Sequence, residues 1–463
     1  MKKRISLILL AALLALQAAS CGESEGADVT DDTTAALTES TKPPMEIKTF
    51  GGKTFRVMGT NGAMPNFPEE EENGDKINDT MYVRDRHIEE THDVVIEYVV
   101  EGSGTSTNTF KNSILAQEEE YSMLADAATQ ICKISAEGVL ADIASMPYIT
   151  LDSNHWSRLM AENCQLGGKL YILCGDILPV IYTIPSCLFM NTNLADDYQI
   201  KPEDVYDLVL DGKWTFDRLI SYTRDVTHDL NQDSVIKTTD DFYGYLTEAG
   251  TLPAGLLAVA ADINLCDYTA DGELTVNLMT EKMLALIEKL KPLTANVADG
   301  GDVFHAAFTS DRALFSQHYT SSAYTRYRDM ASDFAILPVP KYDEAQDQYR
   351  SLMNPWGAAF VGFPSNGDAE FIGYIAEAMA VYSYENLRGA VYEEAFKLKG
   401  ARDDTSAQML DLIFNNLYLD NNAIYDIGTS TYVLSQAMFY GGNFASDWAS
   451  IEAKIKADID KIS

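Results

Sequence analysis

Positive charge is what this chain has least of. Its 463 residues carry 34 Lys and Arg against 70 Asp and Glu, a formal net charge of −36. No basic stripe offsets that acidity, and a surface of this sign repels polyphosphate, so nucleic-acid binding is excluded. Histidine is scarce too: His87, His92, His155, His228, His305 and His318 form no HExxH or other close ligand spacing. The six cysteines (Cys21, Cys132, Cys164, Cys174, Cys187 and Cys266) match neither a disulfide scaffold nor a zinc site built on close pairs. Free, buried thiols acting as small hydrophobes fit them better. No internal repeat is present. Gly22-Glu23-Ser24-Glu25-Gly26 spells a nucleophile elbow but lacks the strand before and helix after that the motif requires.

Long apolar runs are also missing, with one exception. Lys2-Lys3-Arg4 precede an apolar stretch from Ile5 to about Ala19. About fifteen residues fall short of the roughly 20 that cross a membrane. A basic start, a short apolar stretch and the small residues Ala18-Ala19-Ser20 mark residues 1–20 as a secretory signal. Cys21 follows directly, as in the bacterial lipobox, with Ala18 where the usual pattern has Leu. Lipidation at Cys21 would place the chain on the outer face of a cytoplasmic membrane. Residues 21–45 are rich in Thr, Ser, Asp, Glu and Gly and cannot bury enough surface to offset ordering entropy. They are expected to form a disordered tether with a reach of about 25–30 Å.

The rest is globular in composition, 46 % hydrophobic over the whole chain, and long enough for two sizeable cores. Residues 54–59 and 94–100 read as strands around a helix capped by Asn78 or Asp79, the opening of a βαβ unit and a parallel sheet. A helix over about 109–119, an apolar run at 121–125 and a helix near 131–140 continue the alternation. Beyond the proline-rich stretch near 177–186, Thr215 caps a further helix, and an amphipathic helix around 283–290 is expected to stop at Pro292. Residues 333–340 read as a strand ended by two prolines, and 373–384 as a helix. Trp448, Ile451, Ile455, Ile459 and Ile462 recur at helical steps in a last one. The alternation argues for an α/β protein of two lobes.

Several stretches, taken in order, resemble one family. They are INDTMYVRDRHIEETHDVVIEY (77–98), GVLADIASMPYITLD (138–152), LGGKLYILCGD (166–176), DGKWTFDRLISYTRDVTHDLNQD (211–233), DFAILPVPKYDEAQDQY (333–349) and the region 371–425. The set resembles the extracellular solute-binding proteins of ABC importers, in the carbohydrate-type group related to maltose-binding protein. That resemblance implies a two-lobed periplasmic-binding-protein-like fold with three hinge crossings. Lobe 1 would take 46–178 plus 338–390 and lobe 2 would take 185–332 plus 400–463, with crossings near 179–184, 333–338 and 391–400. It also implies a monomer that captures a carbohydrate, an oligosaccharide foremost, and hands it to permease subunits without doing chemistry. A surface glycan receptor or sensor component without transport, or a secreted polysaccharide-degrading enzyme, are the alternatives.

Sugar recognition needs flat apolar faces for C–H surface and polar groups for hydroxyls. By position in the family pattern the candidates are Asn61, Asp126, Asp176, Tyr182, Tyr319 and Trp356. One further motif stands apart. Asp229, Asn231 and Asp233, with Val235 and Asp240, place oxygen ligands at positions 1, 3, 5, 7 and 12 of a calcium loop. Ser234 replaces the expected glycine, and Asp240 the expected Glu. Structural Ca²⁺ is one reading of this segment, a solvated acidic turn the other; no other cofactor is expected.

Overall fold

Eight short strands form two four-stranded sheets, each mixing parallel and antiparallel pairs. They are β1 (Lys53–Gly59), β2 (Val94–Val100), β3 (Met123–Asp126), β4 (Ser186–Asn191), β5 (Tyr243–Leu246), β6 (Ala313–Tyr319), β7 (Phe334–Leu337) and β8 (Phe360–Gly362). The computed structural model describes residues 46–62, 64–298, 300–392 and 404–462. The signal, the tether with Cys21 and most of the expected third crossing lie outside the described residues.

The first sheet has the order β8-β3-β1-β2. β1 pairs parallel with β2, in register from Lys53 with Val94 to Gly59 with Val100, and parallel with β3; β8 closes the other edge antiparallel. Helix α1 (Lys76–His92) makes the first crossover, as the βαβ reading expects, but Asp75 caps it, accepting from the amides of Ile77 and Asn78. Asn78 and Asp79 hold the preceding loop instead, accepting from Glu69, Asn73 and Gly74. Helix α2 (Thr105–Leu115) leads to β3. The helix expected near 131–140 is only a turn, α3 (Ala128–Ile131), followed by a 3₁₀ segment that left-handed Gly138 ends.

The second sheet has the order β7-β4-β6-β5. Around it pack α4 (Phe216–Thr223), capped by Thr215 as expected, α5 (Thr251–Ala260), α6 (Glu281–Thr294) and the short α7 (Ser321–Thr325). Pro292 does not stop α6. It sits in the last turn and forgoes one backbone bond there, while Leu293 and Thr294 beyond it are buried and hold the end of the helix by packing. Trp214, before α4, is fully buried with its indole N–H on the Pro338 carbonyl at 3.0 Å.

The expected second crossing needs correction. β7 does not leave lobe 2; it pairs antiparallel with β4 in the second sheet. The residues after it stay there as well: the Lys341 amide and carbonyl bond Trp214 and Phe216, and the Tyr349 hydroxyl donates to the Val209 carbonyl. The chain returns to the first sheet only between Met353 and β8. Prolines 338 and 340 end the strand without deciding which sheet it joins.

Helix α8 (Ala369–Val391) then packs on α1 and is longer than the expected 373–384. It starts at the Asp368 cap, and Gly373 lies inside it because a Cβ there would sit 2.1 Å from the Pro147 carbonyl. Gly373→Ala is expected to lower the free energy of unfolding by about 1–3 kcal/mol, read from urea melts, because backbone must move to admit the methyl. Helices α9 (Ser430–Phe439) and α10 (Phe444–Ile462) complete the second lobe. Trp448, Ile451 and Ile455 of α10 are buried, as their spacing implies. Among the described residues, no helix is long and apolar enough to cross a membrane.

Candidate ligand-binding cleft

Open α/β sheets present their sites at the carboxyl ends of parallel strands, where backbone groups and loop side chains are left without sheet partners. Here β1 runs out at Asn61, β3 at Ala127 to Lys133, and β5 at the turn before α5. Between the two sets of strand ends lies a cavity of about 360 Å³. Thr129, Gln130 and Lys133 line it from the first lobe, and Leu252, Tyr425 and Thr431 from the second; Trp356 stands on the returning segment. The Thr129 amide donates to the Pro355 carbonyl at 3.2 Å, fastening α3 to the Trp356 turn. Trp356 itself is 57 % exposed, an open indole face at the cavity edge. The polar groups around it are held in place. The Lys133 ammonium donates to Gln130 Oε1 at 2.9 Å, and Asp426 accepts from the Thr431 amide and hydroxyl.

Behind the cavity several backbone segments are stitched into one layer. The Thr320 and Ser321 amides donate to the carbonyls of Pro185 and Thr183, the Asn354 amide to that of Ile184, and the Met353 amide to that of Tyr418. At Gly357 a Cβ would lie 2.3 Å from Ile184 Cγ2, so the returning segment packs tightly on the first crossing.

No family model matches the sequence, and neither does any curated relative. Solved structures do. A cyclo/maltodextrin-binding protein complexed with maltotetraose is 14 % identical with a TM-score of 0.58, over 90 % of this chain and 97 % of that one. A cyclic α-maltosyl-1,6-maltose binding protein from Arthrobacter globiformis is 12 % identical with a TM-score of 0.57, over 89 % and 100 %. MalE from Listeria monocytogenes in complex with maltose is 13 % identical with a TM-score of 0.55, over 89 % and 98 %. The chain has the maltose-binding-protein-like fold.

Within that fold the six nominated residues have different surroundings. Trp356 lines the cavity described above. Asn61 is exposed, its side-chain oxygen accepting from the Asn66 amide at 3.0 Å, and it lines a neighbouring cavity. Tyr319 is half-buried at the end of β6, and burial raises its phenol. Asp126 is fully enclosed: its oxygens accept from Ser103, Ser106 and Thr107 hydroxyls and from the Gly104 and Ala127 amides, which ties β3 to the start of α2. Asp176 and Tyr182 are buried together, the Tyr182 hydroxyl donating to the carboxylate, with Arg388 Nε 3.9 Å away. They flank the start of the 179–184 segment. Burial, opposed by Arg388 and His155, pushes Asp176 up to about 6. Sequence reading missed Gln130, Lys133, Tyr425 and Thr431; the strand-end position of the first two, directly after β3, was the available signal.

The 229–240 segment is folded on its own hydrogen bonds. Asp229 accepts from the Gln232 and Ser234 amides, Asn231 from Asp233, and Asp233 from Val235 and from the Lys237 ammonium at 2.7 Å. The Asp240 carboxylate accepts from the adjacent Thr239 hydroxyl. Among the described residues, no three His, Cys, Asp or Glu side chains converge as a metal site. The carboxylates of this segment are engaged by its own amides and by Lys237. The five remaining cysteines are free and buried.

Proposed function

We propose that this protein is an extracytoplasmic binding protein that captures a carbohydrate, an oligosaccharide foremost, for an ABC importer. It works as a monomer held to the outer face of the membrane through Cys21 and the 21–45 tether. The observation that carries the reading is the cavity between two sets of strand ends, with the exposed Trp356 indole beside fixed amide, hydroxyl and charged groups. An open ring covers the C–H face of a sugar, and the polar groups around it take up hydroxyls. The solved relatives in this fold carry maltotetraose and maltose, which favours the same ligand class. Binding needs no chemistry: ligand docks on one lobe, and contacts from the other favour the closed arrangement.

Titration of tryptophan fluorescence against a glycan panel tests this. A saturable change with at least one sugar is expected, and flat traces with all of them would end the carbohydrate reading. Trp356→Ala is expected to weaken that sugar about 10- to 100-fold, or about 1.4–2.8 kcal/mol, measured by calorimetry. Release of labelled protein from membranes by a lipoprotein lipase, and its co-purification with permease subunits, test the tether and the importer.

A further inference from the structure

Strand β2 ends the first sheet, with β1 on one side and, among the described residues, no strand or isolated bridge on the other. Successive residues of a strand turn their amides and carbonyls to opposite sides. The Glu101 amide, just past β2, donates to the Gly59 carbonyl of β1 at 2.9 Å, so odd-numbered positions serve the ladder. Even-numbered positions therefore face outward. Ile96 agrees with that phase, its amide donating to the Glu89 carboxylate at 2.8 Å. Tyr98 and Val100 follow in the same phase, and their main-chain amides and carbonyls point away from the sheet.

Native edges are usually blunted by lysine, proline or a bulge. β2 (VVIEYVV) has neither lysine nor proline, keeps an unbroken register with β1, and leaves Val95 and Val100 exposed. A cavity of about 810 Å³ runs along it, lined by every residue from Ile96 to Val100. At about 3.3 Å per residue that stretch is about 13 Å long and admits an extended segment of about five residues. The opposite wall is preformed. Its loop is pinned by the Asn66 amide on Asn61, the Glu69 amide on Asn78, and the Asn73 and Gly74 amides on Asp79.

The charged lining selects the partner. Glu69, Glu70, Asp75, Asp85 and Glu97 stand against a single cation, Arg86, which is itself paired with Glu89 at 2.7 Å. Asp75 caps α1, Asp85 meets Arg84 and Glu97 meets Arg56, but Glu69 and Glu70 are exposed and carry no ion pair among the described residues. Tyr82, and Tyr324 on α7, are only partly buried and offer ring faces to a cation or to its aliphatic stem. We propose that this cavity is a docking groove for an extended cationic peptide, which adds to β2 as a fifth strand of the first sheet. Main-chain bonds to Tyr98 and Val100 supply the pairing, and lysine or arginine side chains meet Glu69 and Glu70. The groove shares no lining residue with the Trp356 cavity, so the proposal is independent of the carbohydrate reading.

Three synthetic hexapeptides provide the test: alternating valine and lysine, alternating valine and glutamate, and the lysine peptide N-methylated at its four central residues. By calorimetry the lysine peptide is expected to bind saturably, at least about 10-fold tighter than either of the others. At saturation, amide hydrogen exchange at Tyr98 and Val100 should slow about 10-fold, which attraction by charge alone would not produce. Glu69→Gln combined with Glu70→Gln should weaken the lysine peptide at least about 5-fold with an unchanged urea midpoint. Val100→Pro, which removes one outward amide and leaves the ladder to β1, should weaken it about 10-fold. Equal affinity for the lysine and glutamate peptides, undiminished binding of the N-methylated peptide, unchanged exchange at both amides, or no binding at all would overturn the proposal. Concentration-dependent dimerisation that Val100→Pro abolishes would assign the edge to a second copy of this chain and overturn it as well.

Discussion

Arg84→Met is expected to cost about 3–5 kcal/mol of unfolding free energy, one of the two largest effects foreseen for this chain. Arg84 is 1 % exposed, and all three nitrogens of its guanidinium donate hydrogen bonds. Nε donates to Asp85 at 2.8 Å, Nη1 to the Ile177 carbonyl and the Ser383 hydroxyl, and Nη2 to the Tyr98 hydroxyl. The Tyr98 hydroxyl in turn donates to the other Asp85 oxygen. One side chain thereby joins α1, the edge strand β2, α8 and the backbone just before the first crossing. Methionine has similar reach but no donors, so it strands a buried carboxylate and a buried carbonyl. The cost is that stranding rather than the net worth of the pair. Adding Asp85→Leu to Arg84→Met should therefore recover a large part of the loss, since an apolar pair avoids burying either charge. Urea unfolding of the two variants checks both statements; equal destabilisation of the single and double variants would show that the Arg84 contacts to Ile177 and Ser383 carry the effect instead.

Local chemistry made part of this fold legible. β1 and β2 are β-branched and aromatic runs on either side of a helix, Thr215 is followed by the helix it caps, and the isoleucines of α10 repeat at three- and four-residue steps. Those signals need only neighbours in sequence. The second crossing was misplaced because strand pairing is a long-range decision: residues 333–337 look the same whether β4 or β3 accepts them. Asp126 and Asp176 illustrate the same limit at the site. A carboxylate after a strand can serve a ligand or a neighbouring loop, and the hydroxyls at 103, 106 and 107 take up the first, while Tyr182 and the distant Arg388 meet the second. Gln130, Lys133, Tyr425 and Thr431 carry no distinctive motif. They acquire meaning from standing where strand ends face each other.

Asp176 should impose an unusual pH dependence on stability. Asp176 is 4 % exposed, and burial raises its carboxyl from the usual 3.8 to about 6 against the pull of Arg388, His155 and its backbone hydrogen bond. The sign follows from proton counting. Between about pH 4 and 6 the folded protein holds a proton at Asp176 that the unfolded chain has released. The stabilisation is therefore fully present below about pH 4 and is lost as pH rises through about 6. A roughly hundredfold tighter hold on that proton corresponds to about 3 kcal/mol, since each factor of ten is worth about 1.4 kcal/mol. Asp176→Asn is neutral throughout and keeps an oxygen for the Tyr182 hydroxyl, so it lacks this dependence. The difference in unfolding free energy, wild type minus variant, is expected to fall by about 2–3 kcal/mol between about pH 4 and pH 7, measured from urea midpoints at closely spaced pH values. His155 and Arg388 are present in both proteins, so their own titration largely cancels in the difference. A difference that stays constant across the window would mean that Asp176 ionises as an ordinary carboxylate, with Arg388, only 3.9 Å away, closing on it.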